Sequence, residues 1–210
     1  MPVITIRGPR GSESHPIGEL VAQKLGLDYV DQKIIADVAR QLRTSNQAII
    51  EKEMPPSTLL GRIAEAIKSN YAFDSGYLDM YMPLAEFPLD DKNYLAGLQH
   101  VIQEMAKCQA LVIHGRGSQF ILKGFPGAFH VLTVAPLDQR IKRVMAELKC
   151  DEKKAGEEIK RFDNNLHEFM KRYFRAEVDD PAHYDLVINT GHFTVEAAAD
   201  LIIHALGQKH

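Results

Sequence analysis

Three arginines and one short loop are the residues of this chain best suited to handling an anion. Arg116 stands between Gly115 and Gly117, just after the apolar run Ala110 to Ile113 and His114. Flanking glycines let a backbone turn sharply and leave a guanidinium clear. A guanidinium holds phosphate through two parallel hydrogen bonds. A solvated arginine in a surface turn would have the same local sequence. Arg140 and Arg143 are one helical turn apart and share a face. That face is either aimed at a site or solvated together with Asp138 and Lys142. The loop Gly8-Pro9-Arg10-Gly11-Ser12-Glu13-Ser14-His15 follows the β-branched run Val3 to Ile6 and precedes a helical pattern from Ile17 to Leu25. Small residues there would let backbone N–H groups curl around phosphate oxygens, with the helix N-terminus behind them. Gly8 fits the phosphate-loop pattern G-x-x-x-x-G-K-[ST]. Glu13, Ser14 and His15 stand where the second glycine, the lysine and the hydroxyl residue belong. By itself the loop reads equally as a plain strand-to-helix turn.

The chemistry such a set could serve is phosphoryl transfer, which needs positioned cations and exclusion of water more than covalent work. Asp31, after the short run Leu27 to Val30, could contact an acceptor or hold Arg116, and could equally cap a turn. His15 could supply a basic group after the loop. Lys171, Arg172 and Arg175 crowd the end of a charged helical stretch, where basic residues also suit the helix dipole. No metal site is expected: the nine histidines are scattered, without Cys/His ligand spacing.

These residues must be positioned by alternating strands and helices. Strands are predicted at Val3 to Ile6, Leu27 to Val30, Ala110 to Ile113, Val131 to Val134 and Tyr184 to Ile188. Helical spacing runs over Ile34 to Leu42, Leu59 to Ile67, Leu95 to Met105, the stretch with Arg140 and Arg143, Asp151 to about Arg175, and Thr194 to Leu206. Such alternation implies an α/β fold with a parallel sheet covered on both faces. The tyrosine- and proline-rich stretch from Tyr71 to Asp91 has no clear period and reads as a loop or insert.

Taken in order, these segments resemble the cytidylate-kinase-like proteins, a family of P-loop nucleoside monophosphate kinases. ITIRGPRGSESHPIGELVAQKLGLDYVDQKII resembles their opening, LVIHGRGSQFIL their central strand and Gly-Arg-Gly turn, VLTVAPLDQRIKRVM their next strand and arginine-bearing helix, and DDPAHYDLVINTGHFTVEAAADLI their closing segment. The resemblance implies a parallel five-stranded sheet flanked by helices, one domain over 1–210. It also implies an acceptor-binding insert at 32–91 and a lid at 143–178. The implied reaction carries the γ-phosphoryl of ATP, with Mg2+, to a pyrimidine monophosphate such as CMP or dCMP. Gly8, Gly11, Ser12, Ser14, His15 and Arg140 would then face ATP, Asp31 and Arg116 the acceptor, and Arg116 and Arg143 the transferring group. The sequence departs from the family at Glu13 for glycine, at Gln32 for an arginine, and at Leu166, where Asp163-Asn164-Asn165-Leu166 replaces D-x-x-R. These departures bear on a second reading, a weak or inactive nucleotide-binding sensor or partner protein of the same fold.

Composition sets the outer bounds. The chain has 210 residues, 45% hydrophobic and 25% charged, with net charge -3. A core of useful size is available without disulfides, and no basic footprint for nucleic acid is implied. Cys108 and Cys150 suggest no disulfide framework, which fits a reducing compartment such as the cytoplasm. No stretch is long and apolar enough to suggest a membrane partner.

Overall fold

The computed structural model describes residues 1–31 and 91–209. The expected helices at 34–42 and 59–67, Gln32, and the stretch 71–90 lie outside them. The chain divides into two compact units, Met1–Tyr29 with Leu111–His210, and Val30–Ala110.

Strand β1 (Val3–Arg7) is buried along its whole length, as a β-branched run with both faces covered should be. The loop after it feeds α1 (Ser14–Leu25), which ends at Gly26 in the left-handed conformation. Strand β2 (Asp28–Val30) follows. In the second unit, α2 (Asp91–Cys108) carries the Leu95–Met105 pattern. The chain then runs through β3 (Leu111–His114), α3 (Ser118–Ile121), β4 (Ala128–Val134), α4 (Leu137–Leu148), α5 (Glu152–Phe174), β5 (Leu186–Asn189) and α6 (Val195–Leu206). The strands form one five-stranded sheet in the order β2-β3-β1-β4-β5. Parallel pairing sets Ile6 beside His114 on one side and beside Val131 on the other.

The two faces of β1 are unlike. Ile4 and Ile6 join Ile17, Val21, Val131, Ile188, Ala199 and Ile202 in the main core, so α1 and α6 cover one face with aliphatic side chains. The alternate positions are more polar. Thr5 Oγ1 meets His130 Nδ1 at 2.8 Å, and Arg7 is buried at the strand's carboxyl end. Helices α4 and α5 pack on each other through Val144, Ala155 and Ile159. The predicted strands and helices of the described part are all present, with ends moved by a few residues. The short α3 and the 3-10 turn Pro181–His183 were not expected, being too brief to show a period.

Candidate active site

The carboxyl ends of β1 and β3 lie side by side, so the loop after β1 and the turn after β3 open on the same sheet edge. Gly115 N donates to Ile6 O at 3.1 Å, and Ser14 Oγ lies 2.9 Å from His114 Nε2. Parallel sheets bind ligands at this edge.

The loop is wound tightly. A Cβ at Gly8 would lie 2.1 Å from Ser12 Oγ and 2.3 Å from Thr133 Oγ1, so only glycine fits there. Ser12 Oγ and Thr133 Oγ1 bond each other at 2.8 Å, and Thr190 Oγ1 donates to Ser12 O at 3.1 Å. Thr133 near the end of β4 and Thr190 just after β5 thus pin the loop after β1. Glu13 caps α1 with φ 61°, and its side chain makes no capping bond. Among the described residues, no protein acceptor takes the N–H groups of Gly11, Glu13 or Ser14. These donors at the N-terminus of a 12-residue helix suit anionic oxygens.

Helix α4 supplies the cations. Arg143 donates through Nη1 to Gly11 O and Thr190 Oγ1, and through Nη2 to Thr190 O at 2.7 Å. Its Nη2 also lies 3.1 Å from Glu13 Oε2. The carboxylate in the second glycine's place is therefore answered by Arg143. His15 faces Glu19 at 3.4 Å and stacks edge-on against Tyr29 and His114. Arg140 is buried, with Nε donating to Arg10 O at 2.7 Å and Nη2 to Asp163 Oδ2 at 2.5 Å. Asp163 Oδ1 also accepts from Arg10 N at 3.2 Å. The aspartate that opens the D-x-x-R segment thus braces the loop against α5.

Arg116 holds φ 58° between Gly115 at 79° and Gly117 at 70°, three left-handed residues in succession. Gly117 is required twice over: a Cβ there would sit 2.2 Å from the Phe174 ring. Asp31 follows β2 and belongs to the second unit. Lys171, Arg172 and Arg175 lie at the end of α5, with Arg175 capping it at φ 52°. Leu166 is half-buried on the same helix.

Sequence reasoning missed five residues. Arg7 donates through Nη1 to Val178 O at 3.1 Å and to Tyr184 Oη at 3.4 Å, while its Nε and Nη2 have no partner among the described residues. Burial pushes its guanidinium below its ordinary value, with Tyr184 and Asp179 working the other way. Its signal was a charge ending an apolar strand at the loop. His114 ends β3 in the same way. Thr133 and Thr190 had no signal beyond their place at the carboxyl ends of β4 and β5. His167 donates to Asp163 O at 2.7 Å and lies 2.8 Å from Asp179 Oδ2. The first of these bonds raises its pKa against partial burial, and Asp179 raises it further.

The residues present fit nucleotide phosphates through backbone donors, without the usual lysine. No group of three His, Cys, Asp or Glu among the described residues could hold a metal alone. Magnesium would enter on the phosphates, as it commonly does. Among the described residues no helix is long and apolar enough to cross a membrane.

A parallel sheet in this strand order, with its first loop curled over a helix N-terminus, is the architecture of the P-loop kinases. The chain belongs to the cytidylate kinase-like family, whose profile matches residues 3–192. It is 25% identical to the cytidylate kinase of Archaeoglobus fulgidus over 213 aligned positions, covering 98% of this chain and 95% of that protein. A 99-residue stretch, 47% of the chain, is 31% identical to the uronate isomerase of Corynebacterium glutamicum; it spans 19% of that protein, too little to carry its activity across. An uncharacterized protein from Eubacterium ventriosum superposes with a TM-score of 0.72 at 19% identity, covering 100% of both chains. A gluconokinase from Sinorhizobium meliloti superposes at 0.52 with 11% identity, covering 99% of this chain and 91% of that one. Both are likenesses of fold.

Proposed function

We propose that this protein transfers the γ-phosphoryl group of ATP to a nucleoside monophosphate, with CMP or dCMP as the acceptor. The observation that carries the reading is the meeting of the β1 loop and the Gly115–Gly117 turn at one sheet edge, through Ser14 and His114. The family and the named cytidylate kinases support it.

In this reading the N–H groups of Gly11, Glu13 and Ser14 hold the donor phosphates, and ATP supplies the transferable group with its magnesium. Gly8 and Gly11 keep the loop close enough for those donors to converge. Arg143 and Arg140 act from α4, Arg143 toward the developing charge and Arg140 by fixing Arg10 against Asp163. Arg116 takes the acceptor's phosphate. Residues 143–178 form the lid, and 32–91 with Asp31 the acceptor side. Lid closure would exclude water before transfer.

One observation favours the second reading, a nucleotide-binding protein of little activity. Arg143 is already engaged by Glu13 and Thr190, and Leu166 withholds a lid cation. The deciding experiment is ADP release from magnesium and ATP across a panel of monophosphates. CMP or dCMP should raise it well above background. Background turnover with every acceptor refutes the kinase and leaves the binding protein.

A further inference from the structure

Ser14 occupies the place of the missing lysine, and its hydroxyl does not simply face solvent. The residue is buried, its Oγ lies 2.9 Å from His114 Nε2, and it begins α1, where the N–H groups of Gly11, Glu13 and Ser14 meet no acceptor among the described residues. A serine hydroxyl within hydrogen-bond reach of an imidazole, beside donors that can receive negative charge, is the arrangement of an activated nucleophile. Ser12, two residues earlier, shows the contrast. Its hydroxyl is shared with Thr133 Oγ1, which cannot serve as a base near neutral pH. The His114 ring is framed by His15 and Tyr29, with centroids at 5.6 and 6.3 Å.

From this geometry we propose that Ser14 is a phosphoryl acceptor in its own right, taking the γ-phosphoryl group of a bound nucleoside triphosphate with His114 as general base. Ser14 Oγ attacks the γ-phosphorus. The new O–P bond forms as the bond to the β,γ-bridging oxygen breaks, and nucleoside diphosphate leaves. The serine proton passes to His114 Nε2, which must carry its other proton on Nδ1. The product is phosphoserine at the mouth of the loop, where its added negative charge would oppose a second triphosphate. The step rests on the proposed binding of ATP at this loop.

The test is mass spectrometry of the intact protein and its peptides after incubation with magnesium and ATP. Phosphate should appear on Ser14 and not on Ser12, and should be absent from S14A. His114→Gln, checked for folding by its thermal melt, should slow it by about 10²- to 10⁴-fold, the usual worth of a general base. A fluorophosphonate probe gives a reading on the unaltered protein without nucleotide: fluoride leaves as the probe bonds to Oγ, and Ser14 should react well ahead of Ser12. No phosphate on Ser14, equal rates in wild type and H114Q, or a Ser14 no more reactive than Ser12 each overturns the proposal. Monophosphate phosphorylation measured in the same samples separates the two ideas. If it persists without phosphoserine, only this inference falls. Phosphoserine without conversion of CMP or dCMP to its diphosphate refutes the acceptor reading instead.

Discussion

Replacing Glu13 with glycine should leave the fold nearly as stable and tighten ATP binding. Glu13 sits at φ 61°, where a side chain costs about 1–2 kcal/mol that glycine does not. Two terms oppose that relief. Glycine gives the unfolded chain about 0.4–1 kcal/mol more freedom to lose. The ion pair with Arg143 is lost as well; both side chains are about a quarter exposed, at 28% and 25%, so it contributes only about 0–1 kcal/mol. These nearly cancel, and the melting temperature should move little. Binding changes more. Two unit charges 4 Å apart at an effective dielectric of 20 repel by about 4 kcal/mol. Arg143 now offsets much of that for Glu13, and in the glycine variant its charge, still held at Gly11 O and Thr190, is no longer neutralised by a carboxylate. Even about 1.4 kcal/mol of net gain is tenfold in affinity. Titration calorimetry with ATP, on Glu13→Gly and Glu13→Gln beside wild type, tests this. Glutamine keeps the backbone strain and removes the charge, so it should recover most of the affinity without the stability term. An unchanged ATP affinity in both variants would refute the reasoning and indicate a loop that does not receive phosphate.

Further outcomes follow from other contacts. Arg116→Ala should lower acceptor efficiency by about tenfold to a hundredfold, with ATP affinity unchanged, since one charge-assisted contact is worth about 1.5–3 kcal/mol; steady-state kinetics against both substrates checks it. Gly117→Ala should destabilise by about 2–4 kcal/mol, because it joins a left-handed φ to a Cβ 2.2 Å from Phe174, whereas Gly26→Ala, with open space around it, should show only the conformational part; urea denaturation separates them. His167 has a raised pKa in the fold, so its contribution is full below its ordinary value of 6.5 and is lost as pH rises through the higher folded value. His167→Gln should therefore flatten the stability profile in that window, read from melting temperatures at a series of pH values.

Much of the fold was legible because its signals are local. A β-branched run closed by Arg7-Gly8-Pro9, a helix closed by Gly26, and glycines around Arg116 are each set by neighbours in sequence. Periodicity also placed α5, although it is mostly charged, because Ile159 and Ala155 recur at helical spacing against Val144. What escaped is set by partners far along the chain. Glu13 faces Arg143, Arg7 reaches Val178 and Tyr184, and Asp163 meets Arg10 and Arg140. No spacing rule connects such residues. His15, the nearest imidazole in sequence to Glu13, is turned by α1 toward Glu19, His114 and Tyr29.

The charges at the loop are best weighed as a set. The loop has no lysine, and the sequence departs from the family pattern by lacking the lid arginine and adding a carboxylate at Glu13. Arg143 neutralises that carboxylate, and Arg140 is spent on Asp163. The pull of the loop on a triphosphate then rests mainly on its backbone donors and on the α1 dipole, a contribution of about 0.3–1 kcal/mol at exposed sites and about 2 kcal/mol where partly buried. In the proposed kinase, a loop built this way would hold its donor mainly through those backbone groups. The contacts around the loop are themselves joined. Asp163 links the loop to α5, His167 links α5 to Asp179, and Arg7 links Val178 back to β1, the strand that carries the loop. Movement of α5 therefore cannot leave the phosphate cradle untouched, because Arg10 is held by Asp163 at its N–H and by Arg140 at its carbonyl. That coupling gives Asp163 a reason to remain where the arginine three residues later has gone: the aspartate positions the loop, while the arginine would have served only the transferring group.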